Sequence, residues 1–161
     1  MVANHALAGA RAPFRAVVMS VLVLAMLLLA VPAIANARID GTERATVRYI
    51  NAYRHAHGLR SVRIDRRMST GADGHSASMA RTRFATHGAW AARVSRYAHS
   101  STIGEVIAWL GGGGGQDRRV VTMWIHSAPH RAVLSNGAYR RVGVARRRSG
   151  GTWFYTVDFA R

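Results

Sequence analysis

Between Thr42 and His57 the apolar residues Val47, Ile50, Tyr53 and Ala56 recur three apart, which places them on one side of a helix that Gly58 is suited to end. Leu59 and Val62 lead to Asp65, a good N-cap, and the spacing of Met68, Ala72, His75 or Ser76, and Met79 predicts a second helix from about Arg66 to Thr82. Trp90 to Thr102 has no clean period and reads as a connection with at most a helical turn. Ile103 to Trp109 is an apolar run carrying a single acid, Glu105, and Gly111 to Gly115 form a flexible joint. No Lys-Ser/Thr pair follows those glycines, so they are not a phosphate loop. Asp117 is expected to cap a third helix, Arg118 to about His126, supported by the pairs Val120–Trp124 and Val121–Ile125. Ser127 is expected to cap a short fourth helix, Pro129 to Leu134, through its hydroxyl. The chain then turns strand-like. Arg141 to Arg146 alternates weakly around Val142 and Val144, Ser149-Gly150-Gly151 turns, and Trp153, Tyr155, Val157 and Phe159 face away from Phe154, Thr156, Asp158 and Ala160. The pattern predicts an α+β fold, helices packed on a small antiparallel sheet, with no internal repeat.

Ahead of these elements, Arg11 and Arg15 precede a long apolar run, Ala16 to Ala30, followed by Pro32 and the small-residue series Ala33-Ile34-Ala35-Asn36-Ala37. A positive start, an apolar middle and alternating small residues predict a secretory signal peptide over residues 1–37, cut after Ala35 or Ala37, and one domain over 38–161. The alternative is an uncleaved anchor, since Ala16 to Ala35 is about long enough to span a bilayer. The small-residue site and Pro32 favour cleavage and secretion to the cell envelope or beyond. The chain has no cysteine, which excludes disulfides and a lipoprotein anchor, and no Arg-Arg pair supports a twin-arginine route.

Every basic residue is arginine. Twenty-one of the 23 lie beyond Ala37 against seven acids, a balance of about +14. Such a field favours anionic partners, among them cell-wall polymers, lipid surfaces and nucleic acid. The arginines are scattered apart from Arg146-Arg147-Arg148, a distribution that codon bias alone can write. No aromatic-interleaved patch or nucleic-acid motif is present, so no nucleic-acid partner is expected.

Glu105 is the acid that stands out, because a carboxylate inside an apolar run needs a partner: an arginine, a histidine, or a metal held by histidine. His87 before Gly88 and His130 after Pro129 occupy turn-flanked positions that fix a ring's direction and suit ligands or acid–base groups. Neither belongs to a local zinc motif. His75 faces inward on the second helix, as a core histidine or a functional one. His55 and His57 read as a solvated helix end, His99 as a loop residue, and His126 as a partner for a helix C-terminus. Asp158 reads as a strand residue with a structural role. Ser127 beside His130 has no Gly-x-Ser-x-Gly context and reads as a cap.

Several segments together carry a resemblance. They are Asn51-Ala-Tyr-Arg54 with His57-Gly58-Leu59, Asp65-x-x-Met68, His75-Ser76-x-x-Met79-Ala80, Phe84-Ala-Thr-His87 and Gly104-Glu105-x-Ile107-Ala108. Trp124-x-x-Ser127-x-x-His130-Arg131, Arg141-Val142-Gly143-Val144 and an aromatic last strand complete the set. In this order, over nearly the whole of 38–161, they resemble the CAP superfamily (cysteine-rich secretory, antigen 5 and pathogenesis-related 1, or SCP-like, domains), most of all its short bacterial branch. The resemblance implies a three-layer α-β-α sandwich with a cleft of two histidines and two glutamates able to hold a divalent metal, often zinc. His87 and His130 match the two histidines and Glu105 matches one glutamate. Ser127 stands where the second glutamate would be, and Val106 replaces an asparagine. The implied site is His87 and His130 as metal ligands, with Glu105 as a catalytic carboxylate or one that orients a metal-bound water. Ser127, Arg131 and His75 are implied as cleft support. The implied roles range over proteolysis, lipid binding and signalling, which leaves enzymatic activity open. Three functions are consistent with this reading: an exported domain binding a lipid, peptide or cell-wall polymer in a metal-capable cleft; a metal-dependent hydrolase using His87, His130 and Glu105; or a basic adhesion protein on anionic envelope polymers. Membrane contact is expected only through residues 1–37, if these are retained.

Overall fold

The first helix, α1 (Gly41–Ala56), begins where Asp40 and Glu43 exchange backbone bonds. Asp40 Oδ1 accepts from the Glu43 N–H at 2.8 Å and Glu43 Oε2 from the Asp40 N–H at 3.1 Å, a capping box that starts the helix earlier than its apolar stripe suggests. This is a computed structural model, which describes residues 40–113 and 116–161; the expected signal peptide lies outside the described residues. The remaining elements are β1 (Arg63–Ile64), α2 (Arg66–Thr82), α3 (Trp90–Ala98), β2 (Ile103–Gly111), α4 (Gln116–His126), α5 (Ala128–Leu134), β3 (Arg141–Ser149) and β4 (Thr152–Ala160).

The strands form one sheet in the order β1-β3-β4-β2. The hairpin β3–β4 is antiparallel, as its alternation predicts, and β2 pairs antiparallel with β4. The two-residue β1 runs parallel to β3, so the sheet is mixed rather than wholly antiparallel; a strand that short carries no alternation to read.

Helices cover both faces, which gives the α-β-α sandwich. On one face Val106, Val144, Tyr155, Val157 and Phe159 pack against Val47 and Ile50 of α1, Val120, Val121 and Trp124 of α4, and Leu134 of α5. Trp124 is fully buried, and its indole N–H donates to the Ile107 carbonyl at 2.9 Å, which pins α4 to β2. On the other face Met68 of α2 meets Val94 and Ala98 of α3 and Ala160 of β4, while Met79 and Ala80 meet Ile107 and Phe154. Gly143 of β3 allows α2 this approach: a Cβ there would lie 2.6 Å from Met68 Cβ and meet its backbone as well. Apolar burial on both faces is the main stabilising term, at about 25 cal/mol per Å².

Three local expectations are corrected. Trp90–Ala98 is a helix, not a loop. Asp117 is not a cap: α4 starts at Gln116, and the buried Asp117 carboxylate accepts from Thr46 Oγ1 at 2.8 Å and the Tyr155 hydroxyl at 3.4 Å. Ser127 occupies the N-cap position of α5, but its hydroxyl makes no cap bond.

Arg54 at the end of α1 is fully buried, without a carboxylate partner among the described residues. Its guanidinium donates to the carbonyls of Arg60 (2.9 Å), Leu134 (2.7 Å), Asn136 (3.1 Å) and Tyr139 (3.5 Å), tying α1 to the end of α5 and the loop before β3. The charge is met by carbonyl dipoles instead.

Candidate functional site: a histidine–carboxylate cluster on the β2 edge

Glu105 of β2 stands directly across from Asp158 of β4, and Asp158 across from Gly143 of β3. Cross-strand partners share a face, so the two acids lie side by side on the face covered by α2 and α3. Both are buried. One cation serves both: Arg93 Nη2 donates to Glu105 Oε2 and, at 3.3 Å, to Asp158 Oδ1. A single guanidinium does not offset the desolvation of two carboxylates, so burial raises Glu105 to about 7, with Arg93 pulling the other way. Asp158 is raised as well, chiefly by burial and further by Glu105. Near neutral pH the pair therefore shares protons as a unit. Arg93 Nε is buried with no partner among the described residues.

The other Glu105 oxygen, Oε1, lies 2.7 Å from His87 Nδ1. His87 sits in the turn after α2, where Gly88 adopts φ +52 and its N–H donates to Thr86 Oγ1 at 3.2 Å. His75 holds this turn from α2: its Nε2–H donates to the Thr86 carbonyl at 2.8 Å, and the same nitrogen lies 4.0 Å from Glu105 Oε2. The contrast in exposure divides the roles. The Glu105 side chain is 1% exposed and His75 11%, whereas His87 is 47% exposed. As a carboxylate, Glu105 accepts from His87 Nδ1–H, which leaves Nε2 as the unprotonated nitrogen, without a partner among the described residues.

His130 belongs to α5, on the opposite helical layer. That layer reaches the start of β2, where a Cβ on Gly104 would come within 3.2 Å of Val133 Cγ1. His130 Nδ1 lies 2.8 Å from Ser127 Oγ, so the serine hydroxyl orients the ring instead of capping the helix. His87 lies near enough to His130 for its charge to act on that ring. Burial lowers the pKa of both; Arg93 lowers His87 further, and His87 does the same to His130. His75 is lowered by burial, then by Arg93. All three rings are thus biased toward the neutral, lone-pair-bearing form.

Of the residues singled out from sequence, His75, His87 and Glu105 meet directly, and Ser127 joins His130. Arg131 donates to the Ile125 carbonyl at 3.0 Å and secures the end of α4. His126 likewise donates to the Thr122 carbonyl at the end of its helix. Arg93 and Asp158 were missed. The spacing of Trp90, Val94, Tyr97 and Ala98 is a helical signal that would have turned Arg93 toward the sheet. Asp158 is an acid in a nearly apolar strand, a signal like the one that marked Glu105.

Among the described residues no three His, Cys, Asp or Glu side chains are grouped to hold a metal. His87 and His130 are each tethered through Nδ1, which leaves each ring a second nitrogen without a partner among the described residues. The donor set does not fit a closed structural zinc centre, which takes four protein ligands.

Similarities to known proteins agree with this architecture. An outer surface protein of Borrelia burgdorferi superposes with a TM-score of 0.67 at 21% identity, over 77% of this chain and 95% of that one. An extracellular SCP-domain protein of Bacillus anthracis str. Ames gives 0.65 at 26% identity, covering 75% of this chain but 40% of that longer one. NaASP2, whose structure was solved with Zn2+, gives 0.56 at 8% identity over 74% of this chain and 80% of that one, a likeness of fold alone. No curated protein matches the sequence. The family model described as CAP, the cysteine-rich secretory protein family, matches residues 47–159, and the chain belongs to that family.

Proposed function

We propose that the protein is an exported CAP domain that binds an envelope or extracellular ligand at the β2 edge, with His87 and His130 as a metal-capable pair. The observation that carries this is the 2.7 Å contact between His87 Nδ1 and Glu105, in which a buried carboxylate holds an exposed imidazole by one nitrogen and leaves the other for a ligand. A carboxylate–histidine tether of this kind fixes the tautomer and raises the basicity of a metal-binding ring. A divalent ion such as zinc would be held by His87 and His130 and would supply Lewis acidity toward a lipid, peptide or cell-wall ligand. Export is supported by residues 1–37 and by the extracellular and outer-surface descriptions of the Bacillus and Borrelia proteins. Among the described residues no helix is long and apolar enough to cross a membrane.

The binding reading is preferred to the hydrolase. Glu105 is the hydrolase's only candidate base, yet its side chain is 1% exposed and both oxygens are engaged, by His87 and by Arg93. It is suited to positioning His87, not to receiving a proton from a water in the cleft. Isothermal titration of the purified protein with zinc tests the reading. Single-site binding that is abolished by His87→Ala with His130→Ala, and weakened about 10- to 100-fold by Glu105→Gln, is expected. Zinc binding unaltered by the double substitution would refute it. A peptide and ester panel hydrolysed by the wild type but not by Glu105→Gln would restore the hydrolase.

A further inference from the structure

The opposite edge of the sheet carries a feature that the cleft does not use. β1 is that edge strand, and the segment around it places arginines at every third position, Arg60, Arg63 and Arg66. With Asp65, Arg140 and Arg141 they line a groove of about 760 Å³. The one acid in the groove is already committed. Asp65 Oδ1 caps α2, and Oδ2 accepts from Arg141 Nη1 at 2.9 Å. Arg141 also donates to the carbonyls of Ala98 and Arg161, and Arg140 to those of Gly137 and Tyr139. Arg60, Arg63 and Arg66 are exposed, and their guanidiniums have no hydrogen bond or ion pair among the described residues. Three uncommitted cations thus follow one another along a groove whose only carboxylate is neutralised from within.

From Arg63 to Arg66 the chain runs through β1 and the extended Asp65, and residues three apart on extended chain are separated by about 10 Å. That spacing matches a linear chain with repeating anionic groups better than one compact anion. Arginine's planar fork binds phosphate oxygens two at a time, which a lysine does not. The groove is lined by no aromatic side chain on which bases could stack, and this argues against a single-stranded nucleic acid. We propose that the Arg60–Arg63–Arg66 groove is a second binding site, separate from the histidine cleft, for a linear phosphodiester polymer without bases. Its occupancy would hold the domain on a phosphate-bearing envelope chain while the cleft stays open.

The test is binding of soluble linear poly(glycerol phosphate) to the purified protein. Arg60→Gln with Arg63→Gln and Arg66→Gln is compared with a charge-matched control, Arg44→Gln with Arg48→Gln and Arg118→Gln. These are also exposed arginines, away from the groove. Saturable binding is expected, weakened about tenfold or more by the groove substitutions, as three exposed ion pairs allow, and about twofold or less by the control. His87→Ala with His130→Ala should leave it unchanged, which separates this site from the cleft. Equal losses in the two triple variants would show a response to net charge alone and overturn the proposal. So would the absence of saturable binding, or tighter binding to phosphatidylglycerol vesicles or to oligothymidylate. If the triple variant does not fold, Arg63→Gln alone should weaken binding about threefold, and no change there would equally overturn it. Sedimentation velocity of each variant separates lost binding from edge-to-edge association at β1.

Discussion

Replacing Arg93 with methionine removes the single cation shared by Glu105 and Asp158, and the effect follows from their burial. The guanidinium meets both carboxylates, whose side chains are 1% and 2% exposed. Taking one partner from a buried ion pair costs about 3–5 kcal/mol, because the remaining charge has neither water nor a counter-ion. The carboxylates can avoid part of this cost by staying protonated, so the loss depends on pH. In the wild type Glu105 is already raised from an ordinary carboxylate value to about 7, mainly by burial. A raised carboxyl pKa means that the folded state holds its proton more tightly than the unfolded state. Stability from this group is fully present below about 4.5 and is lost as pH rises toward 7. Without Arg93 both acids are pushed further up, and the decline steepens toward about 2.7 kcal/mol per pH unit, the slope for two protons. Urea unfolding followed by tryptophan fluorescence, with Trp124 fully buried as the reporter, should give Arg93→Met a loss of about 1 kcal/mol at pH 5 and about 3–5 kcal/mol at pH 8. A loss equal at the two pH values, or under about 1 kcal/mol at pH 8, would refute the view that Arg93 neutralises a carboxyl pair.

Other consequences are open to direct measurement. Arg54→Met leaves up to four carbonyls without their donor, two of them in buried bonds, and a loss of about 3 kcal/mol or failure to fold is expected from thermal and urea denaturation. Gly143→Ala drives a methyl group into Met68, for an expected destabilisation of about 1–3 kcal/mol by the same assay. In NMR titrations His75, His87 and His130 should all ionise below the ordinary histidine value of 6.5. A lowered histidine pKa favours the neutral ring in the folded state, so this contribution to stability is lost as pH falls from 6.5 through the folded values, and zinc affinity should fall over the same range. His75→Phe keeps the bulk but releases the Thr86 carbonyl, and a zinc affinity about tenfold weaker, with an unchanged fold by circular dichroism, is expected from losing the clamp on the His87 turn.

The sandwich was legible in the sequence where periodicity is local. The stripe of α2, the alternation of β4 and the cap at Asp65 all depend on residues within one element, and all appear as read. The site was half legible. Glu105 attracts notice because it is charged in an apolar run, and His87 and His130 through flanking turns and family resemblance. The partner of Glu105 was not legible, because it depends on register between strands far apart in sequence, which sets Asp158 opposite. Arg93 was hidden by the polar residues that interrupt α3. Ser127 was read by its best local use, a cap, but the hydroxyl takes the side-chain partner one turn away, His130. β1 could not be read because it is stabilised by β3, not by any pattern of its own.

The proposed function requires the tethered rings of His87 and His130 to act as a pair at the β2 edge. Anomalous diffraction from crystals of the protein soaked with zinc tests it most directly. One strong peak is expected, bonded to the nitrogens of His87 and His130 that do not face Glu105 and Ser127, with Glu105 still bound to Arg93. A peak seated on other histidines, or zinc coordinated by Glu105 after displacing Arg93, would contradict it.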